Sequence, residues 1–234
     1  MKILLIETAT QICSVALALD GRIAVRRDSD TPNAHSTRLS VFIDEVLKES
    51  YLQPRDLDAV CVSAGPGSYT GLRIGVSTAK GFCYALGIPL ISVPTLLSMA
   101  ALYSLKHPEY KGLICPMIDA RRMECYTMIV KGEMEILRDT HADILDDASH
   151  LSLFTSYLDG GEVMFIGDGA EKTRDLLGIH PNAHYDSTFR LSAEGMLQLA
   201  EAKLKAGQTE DVAYFEPFYL KDFVAKKSVV HGLR

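Results

Sequence analysis

The sequence predicts an α/β protein built from two similar halves, on three observations. Its 234 residues are 47% hydrophobic and 23% charged, enough for a substantial core of ordinary composition. Three strand-like segments, 2–7, 12–19 and 22–27, open the chain as an antiparallel meander, and a second meander of the same kind begins at residue 113. After each meander, apolar residues at helical spacing alternate with short apolar strands, the order that builds parallel crossovers.

Within the first half, Asp20-Gly21 is a tight-turn pair between the second and third strands. A helix follows over 35–51, where Leu39, Phe42, Ile43, Val46 and Leu47 recur on one helical face. Asn33 or Ser36 can cap its start, and Pro54 follows its end. Residues 59–64 form a continuous small-apolar strand, the pattern of a strand covered on both faces. A glycine-rich loop over 65–70 leads into a helix over 71–86, then a strand over 89–93 and a helix over 95–106. The order β-β-β-α-β-α-β-α is that of a ribonuclease-H-like half of the actin/Hsp70/sugar-kinase (ASKHA) group, a fold that hosts many functions.

The second half repeats this opening with strands over 113–118, 124–131 and 134–140. A helix over 148–158, a strand over 163–166 and helices over 170–177 and 192–205 follow. The expected division is 1–108, completed by the 192–206 helix, and 109–234, a smaller half with a tail. Phe215, Phe218, Tyr219 and Phe223 are expected to anchor that tail.

Bulk chemistry narrows the function. A formal net charge of -6 argues against a chain that grips nucleic acid over a wide surface of its own, since only Arg26-Arg27, Arg121-Arg122 and Lys226-Lys227 form basic pairs. The five cysteines sit singly in apolar stretches without C-x-x-C spacing, which points to reduced, buried thiols. No apolar run reaches the roughly 18 residues of a membrane span, and the start lacks a signal-like core. The expected location is the cytoplasm.

The loop at Gly65-Pro-Gly-Ser-Tyr-Thr-Gly71 could present backbone N–H groups to an anion, although it matches neither standard phosphate-loop pattern. Behind it the helix carries two stripes. Leu72, Val76, Ala79, Cys83 and Leu86 are apolar; Gly71, Gly75, Thr78, Gly81 and Ala85 form a small-residue ridge. Arg73, Lys80 and Ser77 are left for water. Internal glycines cost about 1 kcal/mol each relative to alanine, so they need a packing reason. Either both stripes are satisfied within the chain, or one meets a partner.

The string G-P-G-S-Y-T-G-L-R-I-G, with Ile6-Glu-Thr-Ala-Thr10 before it and His35-Ser36 opening the first helix, resembles the bacterial TsaB (YeaZ-type) family. Asp119-Ala-Arg-Arg-Met-Glu-Cys-Tyr126, Ile166-Gly-Asp-Gly-Ala170 and Pro217-Phe-Tyr-Leu-Lys221 resemble its later landmarks, in order along nearly the whole chain. Met123 stands where that family usually has glycine, and Lys221 where arginine is common.

The resemblance implies a non-catalytic scaffold that pairs with a catalytic paralogue, TsaD, for threonylcarbamoylation of adenosine 37 in tRNA. It also implies contact with a TsaE-type ATPase, self-association when the partner is absent, and tRNA reached only through the complex. On this reading the partner interface is Leu39, Ile43, Gly71, Gly75, Thr78 and Phe82. A vestigial nucleotide cleft, binding weakly at best, would involve Glu7, Thr8, Asp119, Gly167 and Asp168, although the carboxylates among them read better as turn caps.

The catalytic paralogue holds a metal through a His-x-x-x-His pair on the helix after the last strand of its first half. Thr95 and Met99 stand at the matching places here, and neither suits such a metal. His180 and His184 have the spacing but flank Pro181, while His141, His150, Asp143, Asp146 and Asp147 read as a solvated connection. Ser68 lacks the setting of a hydrolase nucleophile. No metal, cofactor or catalytic residue is therefore expected. The rival readings are an M22-type, glycoprotease-like metallopeptidase and a standalone ASKHA ATPase.

Overall fold

The computed structural model describes residues 1–132, 134–145, 148–177, 180–186 and 188–221. Strands β1 (Lys2–Glu7), β2 (Cys13–Leu19) and β3 (Arg22–Ser29) form the opening meander, with Asp20 and Gly21 both at positive φ in its turn. Helix α1 (Ala34–Glu49), strand β4 (Ala59–Gly65), helix α2 (Tyr69–Leu86), strand β5 (Leu90–Pro94) and helix α3 (Thr95–Lys106) follow. The first sheet has the order β3-β2-β1-β4-β5, antiparallel across the meander and parallel from β1 through β4 to β5.

The second half contains β6 (Leu113–Asp119), β7 (Glu124–Lys131), β8 (Glu135–Ile144), α4 (Ala148–Gly160), β9 (Val163–Ile166) and α5 (Glu171–Leu177). Strand β10 (Ala183–Asp186) then pairs in parallel with β9. The sheet order β10-β9-β6-β7-β8 repeats that of the first sheet, meander first and two parallel strands after it. Sequence reading misses β10 because its four residues are all half-buried and carry no apolar alternation.

Two further expectations are corrected. Asn33 occupies the cap position of α1 in the left-handed region, but its side chain makes no cap bond; Ser36 Oγ instead donates to the Asn33 carbonyl at 3.0 Å. The last helical region divides into a 3-10 turn (Ala193–Met196) and helix α6 (Leu197–Lys205).

Each sheet is covered on both faces, so its central strands are mainly apolar, with Glu7 and Ser63 as buried polar exceptions in β1 and β4. On the first sheet, α1 and α2 bury Leu4, Ile6, Val60 and Val62. On its opposite face Ala193, Met196, Leu197 and Ala200 pack against Ile3, Leu5, Cys61 and Ile91. Helix α3 covers the second sheet through Leu96, Met99 and Tyr103, and Phe154, Leu158 and Leu177 cover the other side. After α6 the chain returns across the first half. Glu210 N–H donates to the Leu90 carbonyl, Lys80 Nζ to the carbonyls of Ala213 and Phe215, and Phe218 N–H to the Ala64 carbonyl at 2.7 Å.

Candidate docking face and cleft

The glycine-rich string is built against the end of β1. Gly65 has φ +105°, and its N–H donates to Thr95 Oγ1 at 3.1 Å. Ser68 N–H donates to the Ala9 carbonyl at 2.6 Å, and Ser68 Oγ caps α2 by accepting from Gly71 N–H at 3.2 Å. Gly67, Gly71 and Gly75 then fall at every fourth position. A methyl group on any of them would collide with the Ala9 carbonyl, the Thr8 carbonyl or Thr8 Oγ1 respectively. Their smallness lets α2 lie directly on the Thr8–Ala9 backbone. The Phe218 carbonyl closes over Gly65 from outside, 2.6 Å from where a Cβ would sit. The Ser68 and Gly71 amides that an anion would need are already used.

This geometry corrects four of the six expected interface residues. Leu39 and Ile43 are each 3% exposed and sit in the core beneath α1. Gly71 and Gly75 are buried against Thr8. The cause is helical phase: these residues lie on the inward arcs of α1 and α2. Thr78 and Phe82 are half-buried, and the outward arc of α2 continues through Ile74, Gly81, Tyr84 and Ala85. Gly81 is exposed, with nothing within 4 Å of an added Cβ. Lys80, expected in water, is half-buried and holds the tail.

A cleft of about 310 Å³ is lined by Thr10, Asp30, Gly167, Asp168, Asp186 and Arg190, among others. Of the five expected cleft residues only Gly167 and Asp168 line it. Glu7 and Thr8 are wholly buried. Glu7 Oε1 accepts from Ala9 N–H at 2.7 Å and Ser63 Oγ at 2.8 Å; Oε2 has no partner among the described residues. Burial pushes the Glu7 carboxyl up to about 7, against the pull of these hydrogen bonds. Asp119 is engaged by Lys172 Nζ at 2.5 Å and by Arg121 N–H at 2.6 Å. Asp168, also raised by burial, accepts from Asp119 N–H at 2.9 Å. Asp30, Asp168, Glu171 and Asp186 line the cleft with Arg190, the one lining cation among the described residues.

At the positions of the metal pair, Thr95 holds Gly65 and Met99 packs in the α3 core beside Gly167. Neither offers a metal ligand of the required kind. His180 and His184 turn to Asp159 and Glu162. Among the described residues no three of His, Cys, Asp and Glu group as metal ligands, and no helix is long and apolar enough to cross a membrane. Asp146, Asp147, Phe223 and Lys226-Lys227 lie outside the described residues, as does the side chain of His150.

Two mixed sheets of one repeated topology, separated by a cleft, define a two-half α/β protein of the ASKHA type. Comparisons with known proteins narrow the class. Residues 29–229 match the family model described as TsaD, tRNA N6-adenosine threonylcarbamoyltransferase. The chain is 31% identical to the tRNA threonylcarbamoyladenosine biosynthesis protein TsaB of Escherichia coli, over 98% of both chains. The fold is similar to a Pseudomonas aeruginosa protein described as similar to peptidase YEAZ, with a TM-score of 0.77 at 23% identity, covering 94% of this chain and 99% of that one. The chain belongs to the TsaB family.

Proposed function

We propose that the chain is a non-catalytic scaffold subunit in tRNA threonylcarbamoyladenosine biosynthesis, pairing with a TsaD-type catalytic paralogue that modifies adenosine 37. The family supports the pathway, and the observation that carries the pairing is Gly81. Gly71 and Gly75 have packing reasons inside the chain; Gly81, in the middle of the same helix, has none. A glycine costs a helix about 1 kcal/mol relative to alanine, and close approach of a second backbone is the reason that remains. The proposed face is Ile74, Thr78, Gly81, Phe82 and Ala85 on α2, bordered by Val41 on α1. It belongs to the half formed by residues 1–108 and the 192–206 region.

The same face would serve a homodimer when the catalytic subunit is absent, and the assembled complex would meet the TsaE-type ATPase and tRNA. Buried, unpaired thiols fit a reducing cytoplasm. Co-purification with the catalytic paralogue, followed by size measurement, tests the pairing. A complex that survives Gly81→Arg unchanged would remove this face from the interface. Peptidase or ATPase turnover at ordinary rates by the isolated chain would overturn the non-catalytic reading in favour of the metallopeptidase or kinase-like alternative.

A further inference from the structure

The turn between β6 and β7 carries the basic pair that the docking face leaves unused. Arg121 and Arg122 both adopt left-handed backbone, at φ 68° and 53°. Consecutive non-glycine residues in that region persist only where their surroundings hold them. Here the holding group is Lys172, whose ammonium donates to Asp119 Oδ1, the Arg122 carbonyl and the Glu124 carbonyl. Asp119 Oδ1 also accepts from Arg121 N–H, Ala120 N–H donates to the Glu124 carbonyl, and Leu145 N–H to the Met123 carbonyl.

The carboxylates beside the turn are already matched. Asp119 pairs with Lys172, and Glu124 with Lys221. Neither Arg121 nor Arg122 makes an ion pair or side-chain hydrogen bond with a described residue, and Arg121, Arg122 and Met123 are all exposed. The turn thus presents two guanidinium groups unmatched among the described residues and one apolar side chain on a hydrogen-bonded frame. A second link places it near α2. Arg73 Nε donates to Tyr219 Oη at 3.3 Å and lies 4.2 Å from the Tyr69 ring. Lys221, two residues beyond Tyr219 and so within about 7 Å along the chain, holds Glu124 at the turn.

We infer that the 119–123 turn is an RNA contact, its two guanidiniums engaging backbone phosphates and its Arg and Met side chains lying against an unstacked base. Planar guanidinium suits phosphate bidentately and stacks on bases, which a pair of surface lysines would do less well. Two such contacts are few, which agrees with a chain of formal net charge -6 that would add to a site held mainly by its partner. This inference rests on the scaffold reading for its setting in the complex.

The experiment measures binding of an unmodified tRNA transcript to the complex of this chain with its catalytic paralogue, across a salt series. Arg121→Ala/Arg122→Ala is compared with the wild type and with Arg55→Ala, an exposed charge control ahead of β4. The expected result is about tenfold weaker binding at physiological salt for the double variant. Its plot of log K against log salt should be shallower by about 1.5, with co-elution of the two proteins unchanged. Equal affinity and slope in double variant and wild type would overturn the inference. So would loss of co-elution in the double variant, which would assign the turn to a protein contact. The same comparison on the chain alone at low salt keeps the test independent of pairing: an undiminished slope there also overturns the RNA contact, whereas failure of the wild-type proteins to co-elute speaks only against the scaffold reading.

Discussion

Thr8 Oγ1 lies against the Cα of Gly75, so the second internal glycine of α2 is part of the chain's own core. The hydroxyl finds no hydrogen-bond partner among the described residues, and the contact is one of close packing. Gly75→Ala should therefore lower stability. The helix gains up to about 1 kcal/mol from the change, but overpacking a fixed backbone costs about 1–3 kcal/mol, and the second effect wins. Urea denaturation checks the net loss of about 1–2 kcal/mol. A more stable Gly75→Ala would show that Thr8 yields freely.

Gly81→Ala should do the opposite to the isolated chain. Nothing lies within 4 Å of the added methyl, so only the helix gain remains, about 0.5–1 kcal/mol. Gly81→Arg and Thr78→Arg should leave the fold intact and abolish co-purification with the catalytic paralogue. Folded variants that still bind at wild-type affinity would move the interface elsewhere.

These two glycines share one sequence pattern and differ in what surrounds them. The succession of elements, the repeat of halves and the two stripes of α2 follow from period and turn chemistry, which are local. Whether a ridge glycine meets its own chain or another depends on helical phase against β1, a contact of residues far apart in sequence. Leu39 and Ile43 lie inward for that reason: periodicity gives the apolar face of α1 but not which way it points. Its place at the end of the first strand suggests a cleft position for Glu7, whereas its side chain turns into the sheet's covered face beside Ser63. β10 has no pattern to find at all.

The five thiols should be inert in the folded chain. All are buried, and burial raises each of them, Cys13 and Cys83 to about 11 and Cys125 to about 12, with Cys61 and Cys115 also pushed up. The thiolate is the reactive form. A thiol reagent at pH 7.5 should label the native protein far more slowly than the denatured one, with five groups appearing only on unfolding. Rapid native labelling of one cysteine would reveal an opening near it.

Glu7 should impose a pH dependence on stability with an unusual sign for a carboxylate. Its folded pKa is raised from 4.5 to about 7 because burial removes water that two short hydrogen bonds only partly replace. Between those values the native state holds a proton that the unfolded chain has lost. The protonated group's contribution is complete below about pH 4.5 and disappears as pH rises through about 7. The corresponding free energy is about 3 kcal/mol. Glu7→Gln keeps the shape and stays neutral, so its stability should not share this decline. Urea midpoints for both proteins at pH 5 and pH 8 measure the difference directly. The wild type should lose more on going to pH 8, and Glu7→Gln should be the more stable protein there. Parallel pH profiles would mean that Glu7 ionises in the fold as readily as in water, through solvent reaching Oε2.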